Sequence, residues 1–511
     1  MADSFYVTTP IYYVNAAPHL GHAYTTIAAD VMARHHRQRG ERVFFLTGTD
    51  EHGEPVADAA HAEGIEPQEL ADRNAERFRA LAPRLGATND FFIRTTDPEH
   101  ERVVQEVLSS VHDAGYVYKG LYEGRYCPRC ADFKVDNEIG ADGLCPIHHI
   151  QLTIEREENY FFALSRFQEP LEALYATNER FVLPRERFNE AHAFIRSGLR
   201  DIPLTRRRLS WGVSVPWDSE HVFYVWFDAL LNYYSALQFA PGAAGGDFWP
   251  PSYQLIGKDI LRFHTVFWPA LLLAAGIELP ERIFVHGFLL MDGEKMSKSL
   301  GNVLDPFAVI DRYGTDALRF YLLREVPFGQ DGSVSTQSFE TRYESELAND
   351  LGNLASRTIG MVSRYRDGAV SAGELDGALV ADFDGLTARV AERFDAADLT
   401  GALEEIWVRV RRLNRYVEES APWQLAKDDG ESERLDTVLR SLVEGVRSVA
   451  VLLWPFLPAA VERLLAALDA DSDLALDAAS FRSPHPRTVA ALPALFPKER
   501  SASEASQEQR Q

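Results

Sequence analysis

Two short segments carry residues suited to binding a reacting polyphosphate. His19-Leu20-Gly21-His22 lies near the start of the chain, and Lys295-Met296-Ser297-Lys298-Ser299 lies far downstream. In the first segment the glycine lets the backbone approach a ligand, and the two imidazoles can donate to phosphate oxygens at a helix start. The second segment is a glycine-flanked loop whose lysines can hold negative charge as it develops in a transition state. Each pattern alone is usually structural or solvated, but together they predict a nucleotide-activating site.

The elements around the first segment predict an α/β sheet. Residues 4–9 and 42–47 are typical of buried strands, and a helix over 25–39 between them completes a β-α-β unit. The second strand leads into 48–53, a polar loop at the carboxyl end of a strand, where open α/β sheets bind ligands. The pattern continues with strands near 90–94, 253–257 and 283–290, and with helices over 98–114, 225–237 and 262–275.

Composition limits the class of protein. With 511 residues and 46% hydrophobic content, the chain is expected to form several globular domains. It has no basic and apolar leader and no apolar run of about 18 residues, so we expect a cytoplasmic location. The net charge of -24 does not exclude a nucleic-acid partner, because such binding depends on local patches.

The three cysteines predict a metal site from their spacing. Cys127-x-x-Cys130 is followed, after fourteen residues, by Cys145-x-x-His148. Three thiolates and one imidazole on two turns suit tetrahedral Zn²⁺, and His149 is an alternative to His148. The competing interpretation, three buried thiols, is weaker because every cysteine of the chain is used.

The two phosphate motifs, in this order on an interrupted sheet, resemble those of the class I aminoacyl-tRNA synthetases. Further stretches resemble the methionyl-tRNA synthetase family in particular, and the similarity runs in order over roughly residues 4 to 460. These stretches are 10–22, 49–53, 206–212, 224–229, 256–264 together with Trp268, and 421–423. The resemblance implies an α/β fold, with a Rossmann-like parallel-sheet catalytic domain interrupted by a zinc-bearing insertion and followed by an all-α anticodon-binding bundle.

For the amino acid, the resemblance implies a pocket with aromatic and aliphatic walls. Such walls suit methionine, whose sulfur contacts aromatic rings favourably. Ile11 would offer its backbone carbonyl and Asp50 its carboxylate to the substrate ammonium group. His264 and Trp268 are four residues apart and so share a helical face. The other implied wall residues are Tyr13, Trp226, Ala229, Tyr233 and Ile260.

For ATP, the resemblance implies binding and catalytic residues on both motifs. Lys298 would clamp the phosphates with the assistance of Lys295, and Mg²⁺ would accompany ATP. The methionine carboxylate would attack the α-phosphorus and expel pyrophosphate, and the terminal ribose of tRNA would then accept methionine. The implied ATP contacts are His19, Gly21 and His22 at the phosphates, Gly257 and Asp259 near the ribose and adenine, and Leu289 at adenine.

Other polar residues have more than one interpretation. Arg206 resembles a family arginine close to the substrate carboxylate, but the five arginines from Arg196 to Arg208 equally suit a solvated patch that faces tRNA. Asn353, Arg357, Pro422 and Trp423 match the anticodon readers of the family, because an exposed Trp stacks on a base while Asn and Arg bond base edges. Trp423 could instead be a packed residue at a helix end.

Three residues depart from the family pattern and put only pocket detail in doubt. They are Leu20, Ser214 and Leu230. An appended dimerisation domain of some relatives is missing, so a monomer is expected. A ligase for leucine, valine or isoleucine would need a larger insertion, and neither a nucleotidyltransferase nor a zinc-containing nucleic-acid-binding module would explain the helical region.

The resemblance implies a six-part organisation. The parts are 1–114 (catalytic, first half), 115–221 (insertion with the zinc knuckle), 222–290 (catalytic, second half), 291–345 (lysine loop and linking segment), 346–498 (anticodon-binding bundle) and 499–511 (disordered tail).

Overall fold

The structure is a computed structural model that divides into two compact units. The first unit comprises Met1–Ala33 with Arg42–Phe288, and the second comprises Arg34–Glu41 with Leu289–Gln511. No helix in the described part of the chain is long and apolar enough to cross a membrane. The described residues are 4–129, 132–134, 139, 142–146, 149–243, 247–291, 294–295, 305–470, 474–481 and 486–498.

The first unit contains strands and helices in alternation, as the sequence pattern predicts. Its strands are β1 (Ser4–Tyr13), β2 (Arg42–Asp50), β3 (Phe91–Arg94), β4 (Val117–Cys127), β5 (Asp132–Lys134), β6 (Thr153–Phe162), β7 (Val182–Leu183), β8 (Ile202–Pro203), β9 (Thr205–Arg206), β10 (Val222–Phe223), β11 (Tyr253–Gly257) and β12 (Ile283–His286). Its helices are α1 (Leu20–Gln38, which ends in the second unit), α2 (Glu54–Glu63), α3 (Pro67–Arg79), α4 (Leu81–Arg84), α5 (Pro98–Val111), α6 (Gln168–Thr177), α7 (Arg185–Arg196), α8 (Val225–Leu230), α9 (Asn232–Phe239) and α10 (Trp268–Ala275). Shorter helical turns cover His112–Tyr116, Leu164–Phe167, Lys258–Ile260 and Phe263–Phe267.

A six-stranded parallel sheet forms the centre of the first unit. Its strand order is β3-β2-β1-β11-β12-β7. The order runs outward in both directions from the boundary between β1 and β11, which makes that boundary the topological switch point where such sheets bind ligands.

The two central strands separate at this point. β1 pairs with β11 at Val7 and Thr8, whereas its pairing with β2 continues to Tyr13 after a register shift between Thr8 and Ile11. Pro10, which has no backbone N–H to donate, lies within that shift. The carboxyl end of β1 therefore stays with β2, and a crevice opens towards β11.

The inserted region forms its own antiparallel sheet, in the order β5-β4-β6-β8. The long pair of β4 and β6 runs in register from Val117 opposite Phe162 to Tyr126 opposite Thr153.

Two predicted helices are interrupted. The helix expected over 225–237 divides into α8 and α9, where the Asn232 side chain donates to the Ala229 carbonyl at 2.6 Å, and the helix over 262–275 begins with the wider turn Phe263–Phe267.

The second unit is mostly helical, as the resemblance implies. Its helices are α11 (Pro306–Tyr313), α12 (Thr315–Glu325), α13 (Thr336–Arg342), α14 (Asn353–Arg366), α15 (Gly377–Phe383), α16 (Leu386–Asp395), α17 (Leu399–Ser420), α18 (Pro422–Leu425), α19 (Ser432–Leu453) and α20 (Pro458–Ala467), with helical turns at Tyr343–Gly352, Asp429–Glu431 and Leu476–Ala479. Its strands are β13 (Leu289–Met291), β14 (Glu294–Lys295), β15 (Gly332–Val334), β16 (Ala369–Val370) and β17 (Arg487–Thr488).

The predicted strand over 283–290 is wrong in one respect. It breaks after His286, and residues from Leu289 pair with β14 and β15 in a separate three-stranded sheet of the second unit. The His286 ring, which bonds the carbonyl of its neighbour Gly287 at 2.9 Å, marks this break. The division into six parts stays a prediction, and the tail at 499–511 lies outside the described residues.

Candidate active site

A cavity of about 370 Å³ lies at the carboxyl ends of β1, β2, β11 and β12. It occupies the switch point of the parallel sheet, in the first unit. Most of the residues expected to bind methionine or ATP meet there, although they come from distant parts of the chain. They are Ile11, Tyr13, His19, Gly21, His22, Asp50, Trp226, Ala229, Tyr233, Gly257, Asp259, Ile260 and His264.

The two histidines of the first motif cap helix α1 reciprocally. The Gly21 backbone N–H donates to Nδ1 of His19 at 3.1 Å, and the His19 backbone N–H donates to Nδ1 of His22, also at 3.1 Å. Their rings stack with centroids 3.7 Å apart. A ring nitrogen that accepts from an N–H carries no proton, so each neutral imidazole has its proton on Nε2.

Burial favours the neutral form of His22. It lowers the pKa of His22 well below its usual range, and the neighbouring His19 lowers it further. Gly21 packs closely against the first histidine, because a Cβ at this position would lie 3.0 Å from the His19 ring. The helix start therefore presents backbone donors and a neutral His22 imidazole to the cavity.

Asp50 brings a buried carboxylate to the cavity floor at the end of β2. It is 2% exposed, and its Oδ1 has no hydrogen-bond partner among the described residues. Burial raises the pKa of Asp50 well above its usual range, and the negative charges of Asp228 and Glu51 raise it further. Hydrogen bonds from the His52 backbone and the Tyr13 side chain lower this pKa in part, and a cationic ligand donor at Oδ1 would bring the carboxyl back to its normal ionisation.

Aromatic residues form the apolar wall of the cavity. The Trp226 indole stacks on Phe263 with ring centroids 3.8 Å apart and meets Tyr13 edge-on at 6.1 Å. The hydroxyl of Tyr233 lies 2.8 Å from Nε2 of His264, whose Nδ1 lies 3.2 Å from the Ile260 carbonyl. Burial lowers the pKa of His264 to about 4, so the ring is neutral and donates to Ile260 while it accepts from Tyr233.

Trp268 does not line this cavity. It is fully buried behind Tyr233, with ring centroids 6.0 Å apart, and its indole N–H donates to Gln254 at 3.1 Å. Its expected contact with methionine stays a prediction. In the described residues Trp268 packs against Tyr233, and Tyr233 lines the cavity.

A buried polar network fixes the short helix α8 that carries Trp226 and Ala229. Asp228 lies between them and bonds Nδ1 of His52 at 2.7 Å and Nε2 of His100 at 2.8 Å. His100 in turn bonds the Ser235 hydroxyl at 2.7 Å. These partners hold the pKa of Asp228 at about 2 despite its burial, and the same carboxylate raises the pKa of His52. The network joins α5, α8, α9 and the loop after β2, and so positions one wall of the cavity.

The opposite side of the cavity contains residues that sequence reasoning missed. His286 ends β12 beside Gly257, and its Nε2 lies 2.7 Å from the Thr25 hydroxyl on α1. Thr25 follows His22 by three residues and so shares its helical face, which was an available signal. The other unpredicted lining residues are Pro10, Tyr12, Asn15, Ala16, Arg129, Leu230 and Phe288. Leu289 is buried on β13 of the second unit.

Arg206 is engaged within the insertion rather than at the cavity wall. Its Nε donates to Glu157 at 3.1 Å, and its guanidinium lies 4.5 Å from the centre of the Tyr126 ring. Both residues and Arg206 itself are buried. In this arrangement Arg206 forms an internal ion pair with Glu157, and its expected contact with the substrate carboxylate stays a prediction.

Two of the predicted metal ligands lie in the described part of the insertion. Cys127 and Cys145 are fully buried in one small cluster with Leu152. The turn after Cys145 is tight, since its carbonyl accepts from the His149 N–H at 2.8 Å and its N–H donates to the Ile150 carbonyl at 2.9 Å. The His149 side chain is exposed. Cys130 and His148 lie outside the described residues.

The second phosphate motif lies largely outside the described residues. Lys295 lies on β14, which pairs with β13 through Leu290. Lys298 and the rest of 296–304 are not among the residues that the structure describes.

In the helical unit the expected anticodon readers lie near one another. Arg357 and Asn353 are one turn apart on α14, and both are exposed. The Arg357 guanidinium lies 5.9 Å from the centre of the Trp423 ring and donates to Glu418 at 2.7 Å. Trp423 is half-buried on α18, directly after the buried Pro422. Glu418 was not predicted.

The sheet, its switch-point cavity and the helical unit match one class of enzyme. Residues 5–153 and 143–359 match the family model described as "tRNA synthetases class I (M)", and residues 367–498 match "Anticodon binding domain of methionyl tRNA ligase". The chain belongs to the class I tRNA synthetases. The predicted combination of a parallel α/β sheet and an all-α anticodon domain is confirmed.

Individual relatives make the assignment more specific. The chain is 46% identical to "Methionine--tRNA ligase" of Streptomyces coelicolor over 97% of each chain, and 44% identical to that of Caldanaerobacter subterraneus, covering 93% of this chain and 75% of the relative. A solved structure, "Mycobacterium tuberculosis methionyl-tRNA synthetase in complex with methionyl-adenylate", superposes with a TM-score of 0.93 at 43% identity, covering 97% of this chain and all of that one. The chain is thus a member of the methionine–tRNA ligase family.

Proposed function

We propose that the cavity of the first unit carries out the activation step of the reaction that family membership establishes, the ATP-dependent joining of methionine to tRNA. The observation that carries this proposal is Asp50, a buried carboxylate with an unpartnered oxygen at the floor of an aromatic-walled cavity. A methionine ammonium group supplies the missing donor, with the Ile11 carbonyl as a second acceptor. Pairing with that cation brings the carboxyl back towards its usual pKa.

The walls select the side chain. Tyr13, Trp226 and Tyr233 present aromatic surface to a thioether, while Ala229 and Ile260 leave room for an unbranched chain. His264 is kept neutral and directed by Tyr233, so it offers no charge that would favour a polar competitor. Trp268 supports Tyr233 from behind.

ATP occupies the side of the cavity formed by the start of α1 and the ends of β11 and β12. The phosphates accept hydrogen bonds from His19, Gly21 and His22. The nucleoside contacts Gly257 and Asp259, and the backbone of Leu289 contacts adenine, as the resemblance implies. Lys298, with Lys295, neutralises the charge that grows on the leaving group. Magnesium accompanies ATP as part of the substrate.

The chemistry needs no covalent enzyme intermediate. An oxygen of the methionine carboxylate forms a bond to the α-phosphorus as the bond to the bridging oxygen of pyrophosphate breaks, and methionyl-adenylate results. A hydroxyl of the terminal adenosine of tRNA then attacks the carbonyl carbon, AMP leaves with the bonding electrons, and the hydroxyl proton is released. The esterified tRNA serves initiation and elongation of translation.

In the second unit, Asn353, Arg357, Pro422 and Trp423 bind the anticodon. The half-buried Trp423 ring offers a stacking face beside the Arg357 donors, and exposed Asn353 lies one turn away.

In the insertion, Cys127, Cys130, Cys145 and His148 hold one structural zinc ion. Support comes from Cys127 and Cys145, two soft ligands buried in one cluster beside a tight turn. We further propose that the protein is cytoplasmic and monomeric, and equilibrium sedimentation of the purified protein would test the monomeric state.

Paired substitutions at His22 test the phosphate role. An Asn at this position keeps an oxygen near the place of Nδ1, so the cap survives while the Nε2 donor is lost; a Gln places an amide donor near Nε2. We expect His22→Asn to slow adenylate formation in single-turnover experiments by about 10- to 100-fold with methionine affinity unchanged, and His22→Gln to lose less. Equal, wild-type rates in both variants would contradict the proposal.

A further inference from the structure

The cavity has an unusual balance of charge for a site that binds a triphosphate. Its described lining includes the carboxylates Asp50 and Asp259. Burial lowers the pKa of three of its imidazoles, those of His22, His264 and His286, and so favours their neutral forms. Arg129 is the only Lys or Arg among the described residues that line the cavity.

Arg129 is supplied by the inserted region, not by the parallel sheet. It lies two residues beyond the fully buried Cys127, the last residue of β4, so its backbone is anchored next to the packed cluster of Cys127, Cys145 and Leu152. Its side chain is exposed. The insertion thus contributes a long cationic side chain to the lining of the cavity.

Arg129 differs from the arginines of the insertion that are neutralised by ion pairs. Six of them pair with nearby carboxylates in the described part of the chain. Within the described residues, no hydrogen bond or ion pair is found for the Arg129 guanidinium. The paired arginines are Arg156 with Glu123 (3.7 Å), Arg185 with Glu179 (3.5 Å), Arg187 with Glu190 (2.7 Å), Arg206 with Glu157 (3.1 Å), Arg207 with Glu220 (2.6 Å) and Arg208 with Glu155 (2.9 Å).

We propose that Arg129 binds the phosphates of ATP during methionine activation, as a substrate-contacting residue contributed by the insertion. The proposal deepens the proposed function and rests on it. A guanidinium presents a planar fork of donors that matches phosphate oxygens in pairs, and it remains charged at every physiological pH. Because the side chain is exposed, its charge costs little desolvation free energy in the absence of ATP. When ATP binds, the positive charge of Arg129 attracts the phosphates and so offsets their repulsion by the carboxylates Asp50 and Asp259.

The test compares Arg129→Ala and Arg129→Lys with Arg125→Ala in the full-length protein. Arg125 lies on β4 of the same insertion, is also exposed, and is not part of the cavity lining. Methionine-dependent exchange between pyrophosphate and ATP gives kcat/KM for ATP, and calorimetry without ATP gives the methionine dissociation constant. Metal content and the thermal midpoint are measured for each variant.

We expect Arg129→Ala to lower kcat/KM for ATP by about 10- to 100-fold, with methionine affinity, metal content and thermal midpoint within error of the wild type. Arg129→Lys should recover part of the loss, because a point charge remains but the fork does not, and Arg125→Ala should change nothing.

An unchanged kcat/KM in Arg129→Ala, or a loss shared equally by Arg125→Ala, would overturn the assignment. A loss of methionine affinity equal to the loss for ATP would also overturn it, in favour of a contact with the amino-acid carboxylate. Failure of the proposed function is distinguishable, since the wild type would then show no methionine-dependent exchange.

Discussion

Replacing Asp50 with Asn should stabilise the fold and weaken methionine binding in the same variant. The reason is the unpartnered Oδ1 of Asp50, buried to 2% exposure and surrounded by the negative charges of Asp228 and Glu51. An amide of the same shape removes the charge that burial disfavours. It also removes the charge that an ammonium group requires.

The magnitude follows from the two roles. The Asn side chain is still polar, but it no longer carries the charge that burial, Asp228 and Glu51 disfavour, and removing that charge should stabilise the protein by about 1–3 kcal/mol near neutral pH. Removing one partner of a buried charge pair costs about 2–5 kcal/mol, which raises the methionine dissociation constant roughly 30-fold to several thousand-fold.

The stability gain should depend on pH with a definite sign. Because the folded-state pKa of Asp50 is raised, the folded protein retains the proton longer than the unfolded chain does. The contribution of Asp50 to the free energy of unfolding of the wild type is therefore fully present below the unfolded-state pKa. It is lost as the pH rises through the folded-state pKa. The advantage of the Asn variant should accordingly grow with pH and then level off.

Glu51 offers a matched control one residue away. It is equally buried, but Arg94 donates to both of its oxygens at 2.8 Å and the Thr49 hydroxyl donates at 2.6 Å. Glu51→Gln should therefore destabilise the protein by about 2 kcal/mol, less than a fully buried pair because Arg94 is partly solvated. Thermal unfolding and methionine calorimetry measure both variants. A destabilised Asp50→Asn, or one that binds methionine normally, would refute the reasoning.

Three further outcomes are expected. Tyr233→Phe leaves Nε2 of His264 without its donor and should weaken methionine binding about 5- to 10-fold, whereas unaltered affinity would remove this pair from the pocket. Trp423→Ala should reduce tRNA charging at least about tenfold while exchange stays nearly intact, and loss of exchange would indicate a structural residue instead. Cys145→Ser should lower bound zinc, measured by elemental analysis, from one ion per chain to none and lower the thermal midpoint; full zinc retention would exclude Cys145 as a ligand.

Much of the fold was accessible to sequence because the buried strands are continuous apolar runs. β1, β2 and β11 lie where their aromatic and β-branched residues predicted them. The break after His286 was not predicted. His286 and Gly287 interrupt the apolar residues of 283–290, but periodicity cannot show that the two halves pair in different sheets. The division between α8 and α9 depends on the Asn232 side chain, which a helical pattern does not reveal.

The candidate site was predicted through resemblance more than through physics. Asp50 and Glu51 are adjacent buried acids, and only the tertiary structure shows that Glu51 is satisfied by Arg94 while Asp50 lines the cavity and has an unpartnered oxygen. His286 and Arg129 reach the cavity from a strand end and an insertion far apart in sequence, so no local pattern identifies them. Trp268 illustrates the converse, because helical spacing places it with His264 but cannot show that Tyr233 lies in front of it.

The central claim, that this cavity activates methionine, is tested most directly by exchange between pyrophosphate and ATP in the presence of each of the twenty amino acids separately. We predict exchange stimulated by methionine far above every other amino acid and abolished at matched concentration in Asp50→Asn. Exchange stimulated by leucine or valine and not by methionine would contradict the account.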